Sequence, residues 1–392
     1  MNTHVTTIEP KVPPGLATMP RDALEGIEHR LRTAHANHLG YPYNLTGAAA
    51  VPPRFGNYLI NNLGDPYVGS HYASEVCDLE REAVDWLMDL WGCADHQDYW
   101  GSIGASGTEG NLWALYLARE AFPEAIVVYS RSAHYSIPKA ARILRIGTQV
   151  VDCTPGGEIS LTDLRRVLLR LRSAFVIVAL TCGTTVKGAH DDIAGALEVL
   201  DDAGFPAHRR YVHVDGALNG MVLPFLDGVP NRLQPSFRHA ISSISTSGHK
   251  MIGTTMPCGA LVVERRHVER VASGIAYLRS NDTTLMGSRN GHAVLSLWAR
   301  LHGHGHEGFR RDAARCVERA RALAASLADA GVPVLLNPWS LTVLFPQPDE
   351  TIVKRYQLAC TAGEAHAIVM PSVTDHLLAR FLTDYLNWWS SQ

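Results

Sequence analysis

From Tyr99 onward the sequence alternates between short apolar runs and longer amphipathic stretches, and this alternation limits the folds that the chain can adopt. The runs AIVVYS (125–130) and AFVIVALTC (174–182) are almost continuously apolar, which is typical of strands buried on both faces. The stretches between such runs have the length and periodicity of helices. Strands and helices in this order predict right-handed βαβ units and an α/β fold with a mostly parallel sheet.

The two ends of the sequence follow different patterns. Residues 1–20 contain several prolines and threonines and predict an extended arm, which a helical pattern over 21–38 follows. After residue 301, a long helix is predicted over 309–331, then strands in VPVLLN, LTVLFPQ and AHAIVMP, and a last helix over 376–389. We therefore predict an N-terminal arm and helix (1–55), a large domain (56–290) and a small α+β domain (291–392).

Charge and composition exclude several classes of protein. The chain has 392 residues with 35 Lys+Arg against 38 Asp+Glu, and no long basic block, so nucleic-acid binding is not expected. No apolar run reaches the length of a membrane span, and the N-terminus has no apolar signal region. The seven cysteines include no CxxC pair and are expected to be reduced thiols in a cytoplasmic protein.

A lysine lies between two of the predicted core strands. Lys250 follows HAISSIS (239–245), which predicts a half-buried strand, and precedes CGALVVE (258–264). An apolar cleft disfavours the ammonium form of a lysine, so its amine can become a nucleophile. Asp215 comes at the end of the strand-like run RYVHVDGAL (210–218), at the sheet edge where open α/β folds bind ligands. A lysine that forms a Schiff base and an acid facing a cationic ring nitrogen suit pyridoxal 5'-phosphate (PLP), although Asp215 as an ordinary loop cap is the alternative.

A glycine-rich turn precedes the first helix of the alternating region. In GSIGASGTEGNLWAL (101–115), small residues lead directly into a helix start, whose backbone N–H groups can hold a phosphate. The turn has neither the Gly-Lys-Ser/Thr of a Walker loop nor GxGxxG spacing. A plain tight turn with Thr108 as the helix N-cap remains an equal alternative.

Histidines stand at two further places of interest. His134 follows the strand-like run AIVVYS, where its ring could stack on a flat cofactor, although a lone histidine is more often structural. His302, His304 and His306 alternate in LHGHGHEGF without accompanying cysteines or carboxylates at ligand spacing. We predict a solvated glycine-rich loop there and no metal site.

These motifs together resemble the group II PLP-dependent amino-acid decarboxylases, in particular the short histidine decarboxylases of bacteria and the serine decarboxylases of plants. The resemblance extends from YPYNLTG (41–47) and INNLGDPYVGSHY (60–72) to YQLACTAGEAHAIVMPSVT (356–374). It includes the long motif SISTSGHKMIGTTMPCGALVV (243–263) and GSRNGH (287–292). It implies the PLP-dependent transferase (aminotransferase-like) fold, with a mostly parallel sheet of the seven-stranded type, and a homodimer with its active site near the interface.

The resemblance also implies a reaction and roles for individual residues. The reaction would be α-decarboxylation of an L-amino acid, histidine (to histamine) or serine (to ethanolamine), to the amine and CO2. Lys250 would hold the cofactor aldehyde, Asp215 the ring nitrogen, and His134 and Ala217 the two ring faces. The residues expected at the phosphate are Ser106, Gly107, Thr108, Ser247 and His249.

Other implied roles are less tightly fixed by the motifs. Thr185 is expected near the ring hydroxyl or the substrate carboxylate, and Tyr277 is a candidate proton donor. Asn62 and Tyr72 are candidates for substrate contact. Ala105 and Ser106 stand where close relatives have Asn and Gly, a change expected to alter the wall on the substrate side.

Other functions remain open from sequence alone. The same cofactor supports aldolase-type cleavage and decarboxylation coupled to oxidative deamination. A PLP-fold binding protein is disfavoured by the presence of Lys250, Asp215 and His134. A nucleotide-binding oxidoreductase would rest only on the α/β pattern and the glycine turn, without a dinucleotide fingerprint.

Overall fold

The structure is a computed structural model that describes residues 21–47, 51–171 and 175–392. The predicted arm over 1–20 lies outside the described residues. In chain order the helices are α1 (Arg21–Ala36), α2 (Cys77–Leu90), α3 (Gly107–Ala121), α4 (Ser136–Leu144), α5 (Leu161–Arg170), α6 (Ile193–Asp202), α7 (Arg265–Val268), α8 (Gly291–Asp329), α9 (Glu350–Tyr356) and α10 (Asp375–Trp389).

The strands form one large sheet and several small ones. In chain order they are β1 (Asn61–Leu63), β2 (Tyr99–Gly104), β3 (Ile126–Ser130), β4 (Thr148–Val151), β5 (Val176–Thr181), β6 (Arg210–Asp215), β7 (Ser243–Ser247), β8 (Gly259–Glu264), β9 (Ser273–Ile275), β10 (Ser280–Asp282), β11 (Ser288–Asn290), β12 (Thr342–Pro346), β13 (Ala359–Thr361) and β14 (Glu364–Ile368).

The large sheet has seven strands in the order β2-β8-β7-β6-β5-β3-β4. Strand β8 is antiparallel to both of its neighbours, and the other pairs are parallel. The predicted mostly parallel sheet of the seven-stranded type is therefore confirmed. The chain runs from β3 outward to β4 and then returns to β5 on the other side of β3. Such a change of direction opens a crevice at the carboxyl ends of the strands.

The central strands are buried on both faces, as their apolar sequences predict. Every residue of β5, β6 and β7 is buried. The strand before Lys250, predicted as half-buried, is therefore a fully buried strand, and the hydroxyls of Ser243 and Ser245 find hydrogen-bond partners inside the fold. Within the described residues, no helix is long and apolar enough to cross a bilayer.

Helix α8 corrects one sequence prediction. The segment containing His302, His304 and His306 was expected to be a glycine-rich loop, but it lies inside this helix. Gly305 absorbs a kink with a positive φ of 64°, which glycine adopts without a steric penalty. His304 Nε2 lies 2.9 Å from Asp312 Oδ2, and the His306 ring stacks on Trp86 at 4.5 Å. The histidines thus serve local packing.

The C-terminal part contains a small antiparallel sheet in the order β12-β14-β13. The run VPVLLN (332–337), predicted as a strand, makes only an isolated bridge between Leu335 and Leu344. One cluster of buried side chains includes Leu87 of the central region as well as Phe309 and Phe381. The three-part division at residues 55 and 290 stays a prediction, because this core continues across the second boundary.

A buried ion pair joins the segments around the large sheet. Arg289 of β11 pairs with Glu80 of α2, and both side chains are almost fully buried. Ser102 Oγ and the Ile103 N–H also donate to Glu80 Oε1, at 2.6 and 2.9 Å. Burial opposes ionisation, but the charge of Arg289 and these hydrogen bonds hold the pKa of Glu80 below its usual value. Asn62 donates to the other Glu80 oxygen at 2.7 Å.

Candidate active site

The ends of strands that are distant in sequence meet at one cleft. Asp215 ends β6, Lys250 follows β7, and His134 lies between β3 and α4. The cleft has a volume of about 120 Å³. Its lining residues are Tyr41, Ser106, Gly107, Thr108, Asn111, His134, Tyr135, Asp215, Ala217, Ser247, His249 and Lys250.

The N-terminus of α3 forms one wall of this cleft. Ser106 is the N-cap and accepts a hydrogen bond from the Glu109 N–H at 3.3 Å, while Glu109 Oε2 accepts from the Ala105 N–H at 2.6 Å. This reciprocal pair resembles a capping box and corrects the alternative in which Thr108 was the cap. Among the described residues, the N–H groups of Gly107 and Thr108 have no acceptor, as expected at a helix start that can hold an anion.

Gly107 is required by a close approach between α3 and β7. A Cβ atom added at Gly107 would lie 2.4 Å from Ser247 Oγ, which is closer than any real contact. The lack of a side chain therefore leaves the helix N-terminus and the Ser247 hydroxyl open to the same small space. Next to it, His249 Nδ1 is buried without a hydrogen-bond partner among the described residues. Hydrogen-bond donors without partners that face one small space suit a phosphate group.

Asp215 is a buried carboxylate that forms no ion pair with another residue of the described chain. Its side chain is 4% exposed, Oδ2 accepts from Asn111 Nδ2 at 2.8 Å, and Oδ1 accepts from the Ala217 N–H at 3.1 Å. No lysine, arginine or histidine of the described chain forms an ion pair with it. A buried charge of this kind is expensive unless a ligand supplies the opposite charge.

Lys250 projects from an irregular turn between β7 and β8. The turn Gly248–Ile252 is helical except at Lys250 itself, whose φ and ψ are −86° and −123°. Gly253 then reverses the chain with a positive φ of 81°. Burial lowers the pKa of the Lys250 ammonium group, while the charge of Asp215 opposes that shift. A lysine with a lowered pKa reaches its nucleophilic neutral form at a lower pH than a surface lysine.

His134 is held in one orientation by its neighbours. The Ser136 N–H donates to Nδ1 at 3.3 Å, and the Ser136 hydroxyl lies 2.8 Å from the same nitrogen. The ring proton of neutral His134 is therefore on Nε2. Burial is the main cause that lowers the pKa of His134, and the Lys250 charge adds to it. Neutral imidazole is the form suited to stacking on a flat ring.

Four predicted site residues do not line the cleft of the single chain. Thr185 lies exposed in the turn after β5. Asn62 is fully buried, and its side chain is occupied by Glu80 and by the Val76 N–H. Tyr72 and Tyr277 lie at the surface with exposures of 48% and 74%. Asn62 is thus a support for the ion pair rather than a substrate contact within its own chain.

Sequence reasoning missed three residues of the cleft. Tyr135 follows His134 directly, and its ring centroid lies 4.2 Å from that of His134. Asn111 is polar within the apolar helix pattern NLWAL, one turn after the glycine turn, and that signal could have indicated it. Tyr41 comes from a loop far upstream of the sheet, and no local pattern points to it.

Comparisons with known proteins agree with this geometry. A family model described as the pyridoxal-dependent decarboxylase conserved domain matches residues 16–337. The chain belongs to the pyridoxal-dependent decarboxylase family. Its cofactor is PLP, and its activity is the PLP-dependent decarboxylation of an amino acid.

Individual relatives of this decarboxylase act on different amino acids. Serine decarboxylase 1 of Oryza sativa subsp. japonica is 43% identical over 354 residues, covering 90% of this chain and 72% of the relative. Histidine decarboxylase of Pseudomonas entomophila (strain L48) is 37% identical, covering 91% of this chain and 87% of the relative. The solved L-methionine decarboxylase of Streptomyces sp. 590 is 25% identical with a TM-score of 0.85, covering 94% of this chain and 95% of that one.

Proposed function

We propose that this cleft binds PLP and that Lys250 is the residue that holds its aldehyde. One observation supports this most strongly: nine of the ten residues expected at the cofactor, all except Thr185, line one cleft. Residues that lie far apart in the sequence converge there with a free helix N-terminus, an unpaired carboxylate and a lysine of lowered pKa. These groups fit the phosphate, ring nitrogen and aldehyde of PLP.

Most residues of the cleft have a task that follows from their position. The N–H groups of Gly107 and Thr108, with the hydroxyl of Ser247 and the ring of His249, would bind the phosphate. Bound PLP supplies an electron sink for the pair left on the substrate α-carbon when CO2 departs.

The carboxylate of Asp215 would balance a positive charge on the ring nitrogen, which a neutral side chain could not do. His134 and Ala217 would enclose the ring from its two faces and exclude water. A proton for the α-carbon would come from the ammonium form of Lys250 or from the imidazolium form of His134, and both residues line the cleft. Tyr277 is a candidate donor only in an assembly that brings its surface loop to a neighbouring cleft.

The proposed substrate is L-serine, with L-histidine as the second candidate. Three serine decarboxylases of rice are 37–43% identical to this chain, and the histidine decarboxylases are 35–38% identical. A second cavity of about 340 Å³ shares Tyr41 and His249 with the cleft, and polar residues such as Thr254 and Thr255 line it. Such a cavity offers room and polar partners for a small hydrophilic side chain.

A screen of the purified, PLP-loaded protein against the twenty standard amino acids tests this proposal. We expect equimolar CO2 and amine, with the highest kcat/KM for L-serine and the next for L-histidine. CO2 with oxygen consumption and a carbonyl product would indicate oxidative deamination instead. A carbonyl product without CO2 would indicate Cα–Cβ cleavage, and either result would overturn the simple decarboxylation.

We also propose that two copies of the chain form a homodimer. Helix α1 exposes Leu24, Ile27 and Leu31, which are 43–54% accessible and recur at helical spacing on one face. An amphipathic helix normally buries such a stripe. Tyr72 and Tyr277 add exposed aromatic area on two segments that are joined by a hydrogen bond from the His71 N–H to the Leu278 carbonyl. A second copy of the chain is the occupant that we propose for these surfaces.

Sedimentation velocity tests the dimer. We expect twice the chain mass of 42.8 kDa for the unmodified protein. Ile27→Glu should weaken the dimer by at least about tenfold, because a charge would be buried in an apolar contact. Ile143→Glu, a change at another exposed isoleucine, on α4, serves as the matched control. A monomer at micromolar concentration, or equal effects of the two changes, would contradict the proposal.

The proposed location of this enzyme is the cytoplasm. All seven cysteines lie in the described parts of the chain, and each is a free thiol. Free thiols, several of them buried, are usual for proteins of reducing compartments.

A further inference from the structure

Asn111 of α3 uses all of its hydrogen-bonding capacity inside the fold. Its Nδ2 lies 2.8 Å from Asp215 Oδ2 and 2.8 Å from Ser136 Oγ. Its Oδ1 lies 2.9 Å from His213 Nε2 and 2.8 Å from Ser245 Oγ. An asparagine side chain has two donor hydrogens and one oxygen with two lone pairs, so this set is complete. The side chain is 1% exposed, so water does not compete for these bonds.

The direction of every bond in this network is determined. The carboxylate of Asp215 only accepts, which places the Asn111 amide nitrogen on that side. The amide oxygen must then accept from His213 Nε2–H and from the Ser245 hydroxyl. Burial lowers the pKa of His213 to about 4, so the ring is neutral, and its Nδ1 accepts from the Ser243 hydroxyl at 2.8 Å. The amide of Asn111 is therefore held in one orientation by the buried sheet.

The same amide reaches the second functional group of the cleft. Because Asn111 donates to Ser136 Oγ, the Ser136 hydroxyl hydrogen is directed at His134 Nδ1. Asp215 and His134 come from different strand ends, yet one side chain supports both. Asn111 also lies one helical turn after Gly107 and Thr108, whose N–H groups face the cleft. Helix α3 thus links three parts of the cofactor site.

We propose that Asn111 is a positioning residue that fixes Asp215, and through Ser136 also His134, relative to the helix terminus that binds the phosphate. This inference rests on the proposed role of the cleft as the PLP site. Asn111 keeps the Asp215 carboxylate in one rotamer although no ion pair of the described chain holds it, so that its charge remains available to the ring nitrogen. If Asn111 only stabilised the fold, replacing it would change the affinity for PLP by the same factor with and without Asp215.

A double-mutant cycle on PLP affinity tests this coupling. The dissociation constant of PLP is measured by fluorescence titration of the cofactor-free protein, with thermal unfolding of each variant recorded alongside. Asn111→Ala should raise the PLP dissociation constant by about 10- to 100-fold, the usual range for losing a hydrogen bond to a charged group. In an Asp215→Ala background, the same change should add less than about threefold, because the group that it positions is gone.

The matched control is Asn337→Ala. Asn337 is also buried and donates twice, to the Gly156 and Lys187 carbonyls at 2.9 Å each, but it lies outside the cleft. It should change the PLP dissociation constant by less than about threefold in either background. If Asn111→Ala does not unfold cooperatively, Ser245→Ala replaces it, because it removes one of the bonds that orient the amide. We expect about a threefold effect with Asp215 present and none without it.

The outcomes distinguish a failure of the proposed PLP site from a failure of the positioning role of Asn111. An unmodified protein that does not bind PLP at all would overturn the proposed site itself. Binding by the unmodified protein with no effect of Asn111→Ala would overturn only the positioning role. Asn111→Ala could also change the PLP dissociation constant equally with and without Asp215. That result, or the same result for Ser245→Ala where it replaces Asn111→Ala, would show that the residue acts on the fold alone and would contradict the inference.

Discussion

Replacing Lys250 with alanine is expected to abolish amino-acid decarboxylation and the near-visible absorbance of bound PLP. The chain contains five lysines, Lys11, Lys139, Lys187, Lys250 and Lys354. Among the described ones, Lys250 is the lysine that lines the cleft, and burial lowers its pKa. Loss of the Lys250 amine should reduce turnover by several orders of magnitude, as is usual when a covalent-catalysis group is removed.

The control for this change is Lys354→Ala. Lys354 is exposed and pairs with Glu350 four residues earlier, an arrangement whose contribution to stability is small. We expect unchanged turnover and absorbance for it. A Lys250→Ala protein that kept both the absorbance band and turnover would contradict the assignment of Lys250.

Replacing Asp215 with asparagine is expected to lower kcat by about 10²- to 10³-fold while the protein stays folded. The change keeps the shape of the side chain but removes the buried negative charge. Without that charge, a positive ring nitrogen is no longer favoured, and the electron pair of the α-carbon has a poorer acceptor. The measurement is kcat with the best substrate from the screen, at saturating PLP.

Asp191→Asn is the matched control for Asp215. Asp191 is also buried and accepts from two backbone N–H groups, those of Ile159 and Thr181, at 2.6 and 2.7 Å. It does not line the cleft. We expect this control to lower thermal stability but to leave the kcat of the folded fraction within about threefold. Equal losses of kcat in the two variants would show that Asp215 acts through the fold rather than through its charge.

The parts of the fold that the sequence predicted are those with strong local patterns. The apolar runs of β3, β5 and β6 and the helices between them were predicted because buried parallel strands need continuous apolar residues. The segment around Gly305 was misassigned as a loop because its glycines outweighed the strong helical sequence on both sides. Tertiary packing, including the stacking of His306 on Trp86, supports the helix there, and a local pattern does not contain that information.

The candidate site likewise contains residues that local sequence patterns predict and residues that only the folded chain brings together. Asp215, Lys250 and His134 could be found because each lies at or shortly after the end of a predicted strand, and parallel strands end at a common edge. Thr185 also follows a strand, but the chain turns its side chain to the surface there. Asn62 looked like a polar pocket residue, yet it is bound to Glu80, a partner that only the folded chain reveals. Tyr41 reaches the cleft through packing of distant segments.

Mapping the lysine that captures PLP tests the central claim most directly. The unmodified protein is incubated with PLP, reduced with borohydride, digested and analysed by mass spectrometry. We expect the added pyridoxyl mass on Lys250, and its yield should rise with pH through a lower range than for a free lysine, because a neutral amine is required and burial lowers the pKa of Lys250. Labelling of another lysine, with Lys250 unmodified, would contradict the account.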